Sequence, residues 1–273
     1  MKYTVQTLKY VLKNFIYLIP FAIIPAMLLS FSTDEEAIIH VLQAIGKGDL
    51  REWEFSMLFR AVSVLNFHPW HSGVFGIFGV ILSVPCVSLM MALLEKHFRI
   101  GKRTFNGLWN KLNDNVLSTC GYVLFLLGIY EVWALLMSAI LFFLSRITIT
   151  VLAFILCCVA FIALHVLLLY AVSAIYLWLP CMQITGFPAL EALHYSYQLN
   201  LRVKWLIVFA QLIMVFASEC IICICAAFLP NFFAFTLITC VLYALMFLVY
   251  CVRMQIVYFD CDNIERADLT RYY

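Results

Sequence analysis

Three ionisable side chains lie inside long apolar stretches of this sequence, at Glu131, His165 and Glu219. A carboxylate and an imidazole placed together can pass protons or bind a cation, because His titrates near neutral pH and burial favours the neutral form of Glu. The same pair can instead hold two helices together through a hydrogen bond. Gln211 precedes Glu219 in its stretch and is a candidate polar neighbour. Both interpretations require these residues to meet inside the protein.

The composition indicates what surrounds these residues. Hydrophobic residues make up 66% of the 273 residues and charged residues 12%, whereas a soluble domain contains about 25% charged residues. The net charge of +2 is too small for a nucleic-acid-binding surface. We therefore expect an integral membrane protein. Its partners would be the lipid bilayer and a membrane-protein partner or a second copy of the chain, with no nucleic acid.

Six apolar stretches meet or approach the length of about 20 residues that a helix needs to cross a bilayer. They cover 14–31, 72–94, 116–144, 147–179, 204–229 and 232–258. At a rise of about 1.5 Å per residue, Glu131, His165 and Glu219 would each lie roughly 20 Å from the same end of the bundle. This places them at one depth near the midplane, where a charge costs at least roughly 2.5–3.5 kcal/mol and normally faces a partner or cavity. The sequence predicts an all-α, polytopic membrane protein in which they converge.

Positive charge predicts the orientation. The segments on the side of the N-terminus carry 13 Lys and Arg residues, and the opposite side carries 4. Loops rich in Lys and Arg stay in the cytoplasm. We therefore expect a multi-pass protein of the cell membrane with both termini in the cytoplasm.

A threefold pattern of mixed polar and apolar segments precedes spans one, three and five, at 3–12, 104–113 and 186–195. It predicts three transmembrane hairpins, each preceded by a cytoplasmic amphipathic helix at the interface. In the third segment, Glu191, His194 and Gln198 share one helix face. The chain would be one membrane domain, 1–273, with pseudo-repeats at about 1–95, 102–179 and 186–259. Alternatively, the alternation follows from any six-span fold with an internal N-terminus.

The long connection at 32–71 predicts an external helical segment. Its apolar residues and its acids around Asp34 are typical of two short amphipathic helices. They would form either a lid or partner site, or an ordinary cover for the outer face.

The third unit resembles a known family. Residues 176–180 (YLWLP) end in Pro180, Gly186 follows, and residues 191–199 read E-A-L-x-x-S-x-x-L, from Glu191 through Ser196 to Leu199. This pattern is similar to that of six-span bacterial membrane proteins related to the membrane domain fused ahead of some glycerophosphodiester phosphodiesterases. The likeness is clearest over about 95–215 and departs at 183–185, where relatives often carry an acid. It implies the six-span fold and no activity, since the catalysis belongs to the fused soluble domain.

No catalytic residue is predicted, because the sequence lacks the short strings typical of zinc hydrolases, serine hydrolases and phosphate-binding loops. The string Cys220-x-x-Cys223-x-Cys225 lacks a fourth ligand, so we expect these thiols to pack and expect no metal or other cofactor. The leading hypothesis is a non-enzymatic scaffold or envelope-associated module. The alternative is a small transporter or channel that uses the Glu131, His165 and Glu219 layer.

Overall fold

The computed structural model describes residues 2–67, 70–229 and 231–270, and these ranges hold helices and no strands. A short 3₁₀ helix covers Leu50–Glu52. The α-helices are α1 (Lys2–Ser32), α2 (Glu35–Lys47), α3 (Phe55–Val62), α4 (Trp70–Ile100), α5 (Leu108–Ser145), α6 (Thr150–Ala174), α7 (Trp178–Thr185), α8 (Ala189–Asn200), α9 (Lys204–Phe228), α10 (Phe232–Cys261) and α11 (Ala267–Thr270).

Six segments of the described chain are long and apolar enough to cross a membrane. They are α1, α4, α5, the segment Thr150–Thr185 that contains α6 and α7, α9 and α10. The prediction of an all-helical protein with six segments able to span a membrane is confirmed for the described residues.

Local sequence explains where several helices begin and end. Gly48 ends α2, Gly107 precedes α5 and Gly186 ends α7, each with φ between 71° and 74°. Other residue types rarely adopt this left-handed conformation without strain. At the start of α2, the Asp34 side chain accepts a hydrogen bond from the Ala37 amide, as expected of an N-cap residue.

The prediction of three separate amphipathic helices is not confirmed. Residues 3–12 are part of α1, because no glycine or proline separates them from the apolar stretch that follows. Residues 108–113 likewise form the first turns of α5. Only α8 is a separate helix, since Gly186 and Pro188 interrupt the chain before it and a turn at 201–203 follows it.

The six spanning segments form a ring. Each packs against the next in chain order, and α10 packs back along α1. Contacts between the predicted units, such as α4 with α5 and α6 with α9, are comparable to those within them. The packing therefore does not single out three hairpins.

The two ends of the ring are closed differently. At the end that holds Lys2 and Asp260, which form an ion pair at 3.3 Å, α7 packs between α5 and α10. We call this the terminal end. At the opposite end, the loop end, Arg146 donates a hydrogen bond to the Arg51 carbonyl, and α2 and α3 pack against α9 and α5.

The hydrophobic core reflects this arrangement. The largest cluster joins α1, α4, α7 and α10, with Leu18, Met90, Leu177 and Leu248 almost fully buried. A second cluster packs Leu50, Trp53 and Leu58 against α5 and α6. The segment between α1 and α4 thus packs against the apolar sides of α5 and α6.

Candidate functional site

A polar contact inside the helix bundle joins α6 to α9. His165 Nε2 lies 2.8 Å from Glu219 Oε1, and His165 Nδ1 lies 2.9 Å from the Phe161 carbonyl oxygen. A carbonyl only accepts hydrogen bonds, so Nδ1 carries a proton. The pair is then either an imidazolium with a carboxylate, or a neutral imidazole with a protonated carboxyl. Its net charge is zero in both states, which lowers the cost of burying it.

Aromatic rings surround the imidazole of His165. The rings of Phe161, Trp133 and Phe216 have centroids 4.3, 4.9 and 5.2 Å from it. The indole nitrogen of Trp133 donates to the Leu164 carbonyl at 2.9 Å. His165 is only 1% exposed, so its ring is held in one position by packing and hydrogen bonds.

The Glu131 carboxylate binds the chain between α3 and α4. Its Oε1 accepts hydrogen bonds from the backbone amides of Val64 and Leu65, at 3.0 and 3.1 Å. Its Oε2 accepts a hydrogen bond from the Ser63 hydroxyl at 2.7 Å. These amides follow the last turn of α3 and have no partner within a helix. Glu131 is therefore an acceptor that fixes residues 63–65 to α5. At a rise of about 1.5 Å per residue, this contact lies about 21 Å from the C-terminal end of α5 at Ser145.

A buried ion pair fixes the same segment to the start of α2. Arg60 Nη2 lies 2.8 Å from Asp34 Oδ2, and the side-chain Nδ2 atom of Asn66 donates to the same oxygen at 3.1 Å. The Asp34 side chain is 4% exposed and that of Arg60 is 24% exposed. Each oxygen of the carboxylate has a donor, which a buried charge requires.

The predicted site residues are only partly brought together. His165 and Glu219 are in contact, whereas Glu131 has its own partners at 63–65. Tyr130 lies within electrostatic range of both carboxylates and donates to the Val62 carbonyl at 2.6 Å. We call Glu131, His165 and Glu219 the polar layer.

Gln211 lies apart from the polar layer, two helical turns before Glu219 on α9. Its side chain is buried, and neither its amide oxygen nor its nitrogen has a hydrogen-bond partner among the described residues. The structure therefore does not join Gln211 to His165 or Glu219.

The family-like segment forms the turn between α7 and α8. Pro180 is buried in α7, and the indole of Trp178 donates to the Ala189 carbonyl at 2.8 Å across the turn at Gly186. Ser196 is fully buried and donates to the Leu193 carbonyl, and Leu199 packs against the main core. Glu191 is exposed in the first turn of α8.

Arg253 is a buried charge that the sequence pattern does not single out. It belongs to the positive charges near the C-terminus, but it is only 2% exposed inside α10. Its Nε and Nη1 atoms have no hydrogen-bond partner among the described residues, and it lies near Tyr176. The position of Arg253 within a predicted span was the signal available.

Two further observations bear on the chemistry of the interior. A cavity of about 580 Å³ opens between α5 and α7, and none of the polar-layer residues lines it.

Within the described ranges, no group of three His, Cys, Asp or Glu residues is placed to hold a metal ion. Cys220 is exposed and Cys225 is buried, so these two thiols face different surroundings.

Comparison of the chain with protein-family models, with curated proteins and with solved structures found no match.

Proposed function

We propose that the protein is a non-enzymatic membrane scaffold. Its polar layer holds together its helices and the segment 33–66, which lies between α1 and α4 in the chain. The observation that carries this proposal is the Glu131 carboxylate, whose two oxygens accept three hydrogen bonds from residues 63–65. A carboxylate engaged in this way is a structural acceptor. Three of the about four acceptor positions of the ionised carboxylate are taken by one short segment of the chain.

The lateral surface supports interaction with lipid and with other membrane proteins. The apolar windows of α5 and α9, and of the segment Thr150–Thr185, are each only 22% buried. These helices present large apolar side chains outwards, among them Leu117, Val151, Phe209 and Ile213. In a bilayer these surfaces contact acyl chains, a second copy of the chain or another membrane protein.

The finer topology is part of the same proposal. The excess of Lys and Arg at the terminal end supports termini in the cytoplasm, and a location in the cell membrane is part of the proposal. The three-unit organisation, with α8 as an interfacial amphipathic helix, rests on the sequence pattern. Membership of the six-span family related to the phosphodiesterase membrane domain rests on the residues from Tyr176 to Leu199.

A transporter or channel is the second candidate, and one observation favours it. The Glu219 side chain is 36% exposed, although its Oε2 atom is buried without a described partner. A carboxyl with one oxygen bonded to His165 and the other unpartnered can exchange a proton if a pathway to that buried oxygen opens transiently.

Proton flux into proteoliposomes separates the two candidates. Purified protein is reconstituted into sealed vesicles with a pH gradient and an applied membrane potential, beside vesicles without protein and vesicles with Glu219→Gln. The scaffold proposal expects the parent protein to match the empty vesicles. Flux above that background, lost in Glu219→Gln, would establish the transporter candidate instead.

A further inference from the structure

The cavity between α5 and α7 is a groove with one polar wall and one aromatic wall. Residues 111, 114, 115, 118 and 122 of α5 follow one another at helical spacing and line one side. Trp178 in α7 and Phe187 after the Gly186 turn line the other. The groove runs from charged residues at the terminal end to Tyr122 in the interior, so it offers a polar mouth and an apolar depth to the same ligand.

Asn115, which lines the groove, carries a buried hydrogen-bond donor without a partner among the described residues. Asn115 is 6% exposed, and its Nδ2 atom forms no hydrogen bond within the described chain. Its backbone oxygen already accepts from Ser118 and Thr119. A buried amide NH₂ without an acceptor costs about 1–3 kcal/mol. Because Asn115 lines the groove, an acceptor such as a phosphate oxygen bound there satisfies this donor once the buried side chain turns towards the ligand.

The mouth of the groove carries one charge of each sign. Among the described residues Lys111 pairs with Glu95 alone, at 3.4 Å, and its other two N–H donors remain for a ligand. Asp114 lies beside it and forms no bond with a described residue. A phosphate near Lys111 and Asn115, with an ammonium group near Asp114, matches this pattern. An anionic headgroup would instead meet the Asp114 carboxylate unfavourably.

The groove lies at the level expected for headgroups. Trp109 is 75% exposed in the first turn of α5, and Lys96, Lys102 and Arg103 lie in or near the connection before that helix. Exposed Trp together with basic residues is typical of the membrane–water interface. The inner part of the groove, between Gly121 and Trp178, faces the acyl-chain region.

We propose that this groove binds a zwitterionic phospholipid with a primary amine, phosphatidylethanolamine in chemical class. The phosphate accepts from Asn115 and Lys111, the ammonium group pairs with Asp114, and one acyl chain passes Gly121 and Trp178. This inference concerns the terminal end of the bundle. It does not rest on the scaffold role, so its failure would leave that proposal intact.

Two glycines of α5 provide a matched test. A Cβ atom on Gly121 or on Gly128 meets no atom within 4 Å, but only Gly121 lines the groove. Delipidated protein in detergent is titrated with short-chain phosphatidylethanolamine, phosphatidylglycerol of the same chains, and glycerophosphoethanolamine. Native mass spectrometry counts the bound molecules. Gly121→Leu should weaken phosphatidylethanolamine binding at least tenfold, and Gly128→Leu should bind like the parent.

The charge assignment is tested in the same titration. The parent should prefer phosphatidylethanolamine over phosphatidylglycerol about tenfold, and the exposed substitution Asp114→Asn should remove that preference even if Gly121→Leu does not fold. Equal binding of the two lipids to the parent would overturn the assignment. Unchanged binding by a folded Gly121→Leu would overturn the groove, and equally tight binding of glycerophosphoethanolamine would overturn the acyl-chain path.

Discussion

The Nε2 atom of His165 lies 2.8 Å from the Oε1 atom of Glu219, and this contact joins α6 to α9. The other ring nitrogen of His165 is bonded within its own helix. Glu131 is bonded elsewhere, to residues 63–65. The polar layer thus consists of two separate hydrogen-bonded contacts. One joins two spanning helices, and the other joins a spanning helix to the 33–66 segment.

Removal of the Glu131 carboxylate should release residues 63–65. Glu131→Ala leaves the Val64 amide and the Ser63 hydroxyl without their acceptor, while the Leu65 amide keeps its bond to the Ser63 oxygen, so we expect a loss of about 3 kcal/mol in the free energy of unfolding. The melting temperature in detergent should fall, and amide hydrogen exchange at Val64 and Leu65 should accelerate. Glu265→Ala removes an exposed carboxylate after α10 and is the control. Equal melting temperatures for the two variants would contradict the fastening.

The close approach of α4 to the same segment gives a second prediction. A Cβ atom on Gly76 would clash with the backbone oxygen of Val64. Gly76→Ala should therefore lower the free energy of unfolding by roughly 1–3 kcal/mol through overpacking. Gly128 has open space around it, so Gly128→Ala should be neutral or stabilising by about 0.5–1 kcal/mol. Thermal melts of both variants decide this, and a stable Gly76→Ala would show that the two elements do not touch.

The buried ion pair of Asp34 and Arg60 should be sensitive to the loss of one partner. Arg60→Met leaves the buried Asp34 carboxylate uncompensated, and we expect a loss of about 3 kcal/mol. Asp34→Asn combined with Arg60→Met should recover part of it, because no buried charge remains. Lys47→Met breaks the exposed pair with Glu52 and should change stability by less than about 1 kcal/mol. Chemical unfolding of the parent and the three variants measures these differences, and a double variant no better than Arg60→Met alone would be inconsistent with a charge effect.

The contact of α8 with the end of α10 predicts a dependence on alkaline pH. The Tyr195 hydroxyl donates to Asp262 at 2.5 Å, and this hydrogen bond to a carboxylate, with a smaller effect of burial, raises the pKa of Tyr195 to about 12. The folded protein thus holds this proton more tightly than the unfolded chain, whose tyrosine titrates near 10. The stabilisation is complete below pH of about 10 and is lost as the pH rises towards about 12.

Tyr195→Phe should accordingly melt below the parent protein at pH 8 and approach it at pH 12. Tyr197 is exposed on the same helix, and Tyr197→Phe should follow the parent at every pH. A difference between Tyr195→Phe and the parent that stays constant from pH 8 to 12 would rule out the titration of this hydrogen bond.

The sequence was sufficient for some features of this structure. Apolar length placed the six spanning segments, because burying backbone polar groups in helices is the solution available to a single apolar stretch in lipid. The rarity of charge within those stretches also singled out Glu131, His165 and Glu219.

The partners of these residues were beyond the sequence pattern. Glu131 binds backbone amides more than sixty positions earlier in the chain, and an amide group has no sequence signature. The buried position of Arg253 depends on which face of α10 the ring encloses, and the hydrophobic pattern of a helix that is apolar all round does not specify that face. The groove between α5 and α7 likewise arises from the interruption at 175–177, which the apolar run concealed.

A double-mutant cycle on His165 and Glu219 measures whether these two side chains hold α6 against α9. The variants are His165→Phe, which suits the surrounding aromatic rings, Glu219→Met and their combination, and the free energy of unfolding is measured for each in the same detergent. We expect each single change to destabilise the protein, and the double variant to lose about 1 kcal/mol less than the sum of the two. Strictly additive losses would mean that the two side chains do not fasten α6 to α9, and would contradict the structural role of the polar layer.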